Sequence, residues 1–157
     1  MVLLKSPEEI RKLRGNNLIV ARVLEALKKM IHPGVTTLEL DRYCEELTLR
    51  EGAKPAFKGY RGYPFSLCTS VNEEVVHGMP SERRLQSGDI VSLDFGIYHE
   101  GLYGDAAMTV PVGEVSDEAE RLMRVTEEAL YKAIGRARPG NRLGDISAAV
   151  QNHAEAA

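Results

Sequence analysis

The sequence predicts an α/β chain of the α+β type, with helices at both ends and strands between them. Three observations carry this. Residues 6–51 hold two helical patterns, each opened by a capping box. Residues 66–112 carry β signals that end in a hairpin. Two further helical patterns then run from residue 116 to residue 157.

Ser6-Pro7-Glu8-Glu9 opens the first helix, with Ser6 as N-cap, Pro7 at the first helical position and Glu9 completing the box. Ile10, Leu13, Leu18, Ala21, Val23, Leu24, Leu27 and Ile31 give it a broad apolar face, and His32-Pro33-Gly34 ends it. Thr36-Thr37-Leu38-Glu39 is the second box, and Leu38, Leu40, Tyr43, Cys44 and Leu47 carry that helix to about Glu51. Residues 52–65, GAKPAFKGYRGYPF, are rich in Gly, Pro and aromatics without a period, and read as a loop. SLCTSVN (66–72), EEVVHG (73–78), DIVSLDFGIY (89–98) and LYGDAAMTVPV (102–112) read as β segments. Ser116 caps a helix to about Ala137, Pro139-Gly140 stops it, and a last helix starts near Arg142.

The chain has 157 residues, 43% hydrophobic and 27% charged, with a formal net charge of −3, which is ordinary for one globular domain. Nothing in this balance points to nucleic acid or to a polybasic membrane surface. The opening MVLLKSPEE is too short in apolar residues for a signal peptide, and no stretch approaches a membrane span. Cys44 and Cys68 fit no zinc spacing and are expected to be reduced thiols of a cytoplasmic protein.

Pro33-Gly34 and Pro139-Gly140, 106 residues apart, each join two helices. Read as a duplication, residues 1–157 form a fragment of a single domain. Residues 1–112 are then the N-terminal pseudo-repeat and residues 113–157 the start of the second, whose strands would begin after residue 157.

The hairpin LDFGIYHEGLYGD (93–105) places an aspartate near each outer end, Asp94 and Asp105. A turn at His99-Glu100 sets residue 94 opposite 105; a turn at Glu100-Gly101 sets 94 opposite 107. In both registers the two carboxylates share a face, because strand side chains alternate. Like charges so close are destabilising. A shared proton, a divalent cation or ion pair, or a guanidinium from Arg83 or Arg84 would offset the repulsion. The plain alternative is one aspartate facing solvent across a bulge and the other capping a turn. His77, between Val75-Val76 and Gly78, lies at a strand end facing a loop; it is a structural hydrogen-bonder or, beside a metal, a proton shuttle or substrate donor.

Gly59-Tyr60-Arg61-Gly62-Tyr63-Pro64, Ser70-Val71-Asn72-Glu73-Glu74-Val75-Val76-His77-Gly78, Gly88-Asp89-Ile90-Val91, Asp94 and Gly104-Asp105 together resemble the type I methionine aminopeptidase family. The resemblance covers essentially the whole chain. It implies the pita-bread (creatinase/aminopeptidase-like) fold, here one half plus the first helices of the second half. It implies removal of N-terminal methionine from nascent polypeptides, with two divalent metal ions (Co, Mn, Fe or Zn) as cofactors. Asp94 and Asp105 match metal ligands, Asp105 the bridging one. His77 matches the catalytic and substrate-binding histidine that contacts the scissile amide. Phe57, Tyr60, Tyr63 and Cys68 match positions around the methionine pocket, where a thioether packs well on aromatic edges.

The family completes its metal site with one histidine and two glutamates from the second half, which these 157 residues do not include. Two carboxylates alone are expected to bind metal weakly or partially, with a hard-oxygen preference for Mn²⁺ or Mg²⁺. The chain by itself is expected to lack peptidase activity and to self-associate through an exposed half-domain face. The competing readings are a non-catalytic pita-bread module that binds peptide or protein, and another pita-bread peptidase such as a prolidase.

Overall fold

Both predicted capping boxes form. In the computed structural model, which describes residues 3–157, the Ser6 hydroxyl accepts from Glu9 N at 3.2 Å and the Glu9 carboxylate accepts from Ser6 N at 2.7 Å. The same exchange between Thr36 and Glu39 runs at 3.1 and 2.7 Å. They start helices α1 (Pro7–Lys28) and α2 (Thr37–Arg50). The first ends at Lys28, short of the expected His32, and residues 29–34 form turns with Gly34 at φ 97°.

The expected apolar face of α1 needs correction. Ile10 and Leu18 are more than half exposed, and the buried stripe is Asn16, Ile19, Val20, Val23, Leu24 and Leu27. An amide therefore occupies a core position. The second helix likewise buries a carboxylate, Asp41, beside Leu40 and Cys44. Asp41 accepts the backbone N–H groups of Ser66 (2.8 Å) and Leu67 (3.0 Å) and so anchors the start of the next strand.

Four strands follow: β1 (Lys54–Pro55), β2 (Leu67–Val71), β3 (Ile90–His99) and β4 (Leu102–Pro111). All pairings are antiparallel. Strand β3 is central, bonded to β4 along its whole length on one edge and to β2 and then β1 on the other. Val91, Leu93, Phe95 and Ile97 alternate onto one face and are fully buried in a core shared with α1 and α2. Residues 52–65 are mostly loop, as expected, with a 3₁₀ turn at Tyr60–Gly62.

Residues 73–78 are not a strand. Asn72 adopts a left-handed φ of 56° and turns the chain out of β2. Its side chain accepts from Ile90 N (3.0 Å) and donates to Asp89 Oδ1 (2.8 Å), taking over bonds a continuing ladder would make. Val75 and Val76 point into solvent, 86% and 63% exposed, so their β-branched pattern serves no sheet face.

The chain divides into two compact units. The first, through Glu114, holds everything above. The second, Val115–Ala157, contains α3 (Asp117–Arg136) and α4 (Leu143–Glu155), packed on one another. Ser116 caps α3 by accepting from Ala119 N at 3.2 Å, and His153 Nε2 meets Glu128 Oε2 at 2.9 Å between the two helices.

Candidate metal centre

The β3–β4 register decides how the aspartates meet. His99 pairs with Leu102, so the turn is Glu100-Gly101, with φ of 49° and 82°, the all-positive pattern that suits tight hairpins. Asp94 lies opposite Ala107, and Gly96 opposite Asp105. Of the two registers the sequence allows, the structure adopts the diagonal one. Diagonal side chains in such a pair sit about 7–8 Å apart at the backbone, within joint reach of bound ions. Both carboxylates occupy the face turned away from the buried Val91, Leu93, Phe95 and Ile97.

Cys68 lies across from Asp94 on the β2 side, giving a row Cys68–Asp94–Ala107. Beside it the wall is thinned at Gly96. A Cβ there would stand 2.8 Å from the Phe57 ring and 3.2 Å from Asp105 Oδ2. The Phe57 ring and the Asp105 carboxylate thus meet over the space that a side chain would fill.

Both carboxyls are shifted upward. Burial pushes the Asp94 carboxyl above its usual range, with the attraction of His77 pulling the other way. Asp105 is also raised, first by partial burial and then by repulsion from Asp94. No ion pair involves either carboxylate among the described residues. Arg83 pairs instead with Glu74 at 3.5 Å, and Arg84 donates to the Gly34 carbonyl at 2.8 Å. The guanidinium option for offsetting the repulsion is therefore not the one used. Two carboxylates, Asp94 half-buried and Asp105 exposed, with no ion-pair partner among the described residues match a divalent ion in charge and hardness. They are also few: no three His, Cys, Asp or Glu side chains converge as a metal cluster among the described residues.

His77 is solvent-exposed with φ 59°, a left-handed conformation that costs energy unless the surroundings hold it. They do so through Gly78. Gly78 N donates to Ser70 Oγ at 3.0 Å, and Gly78 O accepts from Thr69 N at 2.9 Å. A Cβ on Gly78 would stand 2.2 Å from the Thr69 carbonyl oxygen. Glycine is required there by close approach to β2, and that approach fixes the position of His77, which draws the Asp94 carboxyl downward.

The remaining predicted residues divide. Tyr63 is half-buried and its hydroxyl lies 2.9 Å from the Leu67 carbonyl oxygen and 3.3 Å from that of Gly78, tying the aromatic loop to β2 and to the His77 loop. Its phenol is pushed well up, by burial first. Cys68 is 4% exposed, and burial, then the Asp94 and Asp105 charges, raise its thiol. Tyr60 is placed differently: it is 64% exposed, with the Arg61 guanidinium 5.5 Å from its ring centre. The sequence reading missed Asn16, Asn17, Asp41 and Asp89, whose side chains hold the site's backbone; Asn72 and Asp89 stood inside the quoted motifs without a role.

The sequence pattern of metallopeptidase family M24 matches residues 11–157. The chain belongs to that family. It is 48% identical over 155 residues to "Methionine aminopeptidase 1" of Bacillus subtilis, covering 99% of this chain and 62% of the relative. Crystal structures of methionine aminopeptidases from Thermotoga maritima (46% identity, TM-score 0.96) and Rickettsia prowazekii (36%, TM-score 0.97) each match 99% of this chain and 63% of their own. The Xaa-Pro dipeptidase of Bacillus anthracis matches at 25% identity and TM-score 0.86, over 98% of this chain and 42% of that one. The α/β fold is thus of the pita-bread type. The chain spans about three-fifths of the methionine aminopeptidases it matches.

Proposed function

We propose that this chain carries one wall of a dinuclear metal site that removes N-terminal methionine from nascent polypeptides in the cytoplasm. The observation that carries the proposal is the pair Asp94 and Asp105, side by side on the outer sheet face, both raised and neither ion-paired. Identity of 48% with a methionine aminopeptidase, against 25% with a Xaa-Pro dipeptidase, supports this specificity over a prolidase. Retention of both acids and His77 in one place supports catalysis over a purely binding module.

Asp94 and Asp105 would hold the ions from this side. Two divalent ions of the Co, Mn, Fe or Zn type, when bound, would supply an activated water and a polarised carbonyl. His77, exposed at the lip, donates to the scissile amide oxygen or serves the leaving amine. Phe57, over Gly96 beside Asp105, and Cys68, across from Asp94, would take the methionine side chain, whose thioether packs on ring and sulfur. Tyr63 ties the aromatic loop to β2 and to the His77 loop through its two carbonyl contacts, and Tyr60, exposed beside it, is the outer aromatic residue of the same loop. Two carboxylates are fewer than a catalytic site needs, so the remaining ligands come from outside residues 1–157, and these residues alone bind metal weakly and are inactive. In this reading 1–112 and 113–157 are the first pseudo-repeat and the start of the second.

The test is a chimera: this chain continued by the remaining C-terminal part of the Bacillus subtilis relative, assayed on a Met-Ala peptide with Mn²⁺ or Co²⁺. Turnover by the chimera, absent from the 157-residue chain and from Asp94→Asn, is the expected result. A folded chimera without turnover would refute the reading.

A further inference from the structure

We infer that Asn17 is a positioning residue for Asp105, and that with Asn16 it makes α1 the template on which the acid-bearing hairpin is set; this rests on reading Asp105 as a metal ligand. Asn16 is the polar member of the buried stripe of α1, and a buried amide needs partners. Its Nδ2 donates to the carbonyls of His99 (2.9 Å) and Leu102 (3.0 Å), the two residues flanking the hairpin turn. The approach is close: a Cβ on Gly104 would stand 2.9 Å from the Asn16 carbonyl carbon.

One residue further on, Asn17 Oδ1 accepts the N–H of Asp105 at 3.1 Å. Strand β4 has β3 as its one paired neighbour, so part of its backbone has no ladder partner. Asn17 supplies one at Asp105 itself. The acceptor is oriented in turn, because Asn17 Nδ2 donates to the Leu13 carbonyl at 2.9 Å. Metal coordination tolerates errors of only about 0.2 Å, and a strand edge free to twist would exceed that. Asn17 is exposed, and alanine is the better helix former there. The higher helix propensity of alanine offsets much of what these exposed hydrogen bonds add to the fold, so the asparagine bears chiefly on where Asp105 sits.

The experiment is a Mn²⁺ titration of the isotope-labelled 157-residue chain, read by paramagnetic broadening at the Asp94 and Asp105 amides, with Asp105 amide exchange and Tm measured alongside. Asn17→Ala is expected to weaken Mn²⁺ binding by about threefold to tenfold and to speed Asp105 exchange, with Tm unchanged or raised. Asn17→Asp, which keeps the acceptor, is expected to restore slow exchange at Asp105 and bind at least as tightly as the parent. Unchanged affinity in Asn17→Ala, or a Tm loss in step with the affinity loss, overturns the positioning role while leaving Asp105 a ligand. A parent that shows no broadening at Asp94 or Asp105 overturns the ligand reading, and the positioning role with it.

Discussion

Strand β3 has two unlike faces. Val91, Leu93, Phe95 and Ile97 point into the core and are wholly buried, whereas Ser92, Asp94 and Gly96 alternate with them onto the other side. The first face is held by apolar packing against α1 and α2. The second gives up packing: it carries a carboxylate, then a glycine, where hydrophobic residues would add stability. One backbone therefore serves as a structural spine and as a platform for charge. Stability is concentrated on one face so that the other can hold groups that repel one another.

Substitutions on the two faces separate these roles. Phe95→Ala is expected to have the largest effect, a loss of about 3–5 kcal/mol in urea denaturation, enough to leave much of the chain unfolded. A loss below about 1 kcal/mol would show that the inner face is not the spine. Next is Gly96→Ala, because the new Cβ must displace the Phe57 ring 2.8 Å away; a loss of about 1–3 kcal/mol is expected. Adding Phe57→Ala should recover part of it, and a strictly additive double variant would argue against that contact as the cause.

Asp94→Asn should act in the opposite direction. The folded carboxyl is raised above its ordinary 3.8, chiefly by burial. A raised acid favours the fold only while protonated, so its cost is absent below pH about 4, grows as pH rises through the folded value, and persists to neutrality. Asp94→Asn removes that cost. It is expected to raise the Tm of the metal-free chain at pH 7, by the equivalent of about 0.2–1 kcal/mol, with no gain at pH 3. Mn²⁺ should raise the Tm of the parent and not of the variant. A lower Tm for Asp94→Asn at pH 7 would erase the contrast between the faces.

The smallest effect on stability is expected for His77→Ala, within about 0.5 kcal/mol, since the ring is exposed. In the active chimera the same change should lower kcat far more than it raises KM. A change confined to KM would remove His77 from the chemistry.

Much of this was legible from residue order. Period-two alternation puts Asp94 and Asp105 on one face in either register, and both capping boxes announce their helices. Other features were hidden because their pattern imitates something else. Val75-Val76 has strand composition, yet the left-handed Asn72 breaks the strand before them. Asn16 and Asp41 are polar residues within helices, and helical spacing gives no sign that each reaches a distant backbone, 83 and 25 residues away. Tyr60 and Tyr63 look alike in sequence, but only Tyr63 has carbonyls within reach.

By itself the sequence determined the four helices and strands β2, β3 and β4 in their order, the shared face of the two acids and the family to which they belong, because those follow from local periodicity, capping and residue order. Only the tertiary structure decided the diagonal register, the clamp of Asn16 and Asn17 on the hairpin, the approach that makes Gly78 hold His77, and that neither acid is ion-paired among the described residues. Each depends on which groups meet in the folded chain, where Arg83 pairs with Glu74 and Arg84 with the Gly34 carbonyl.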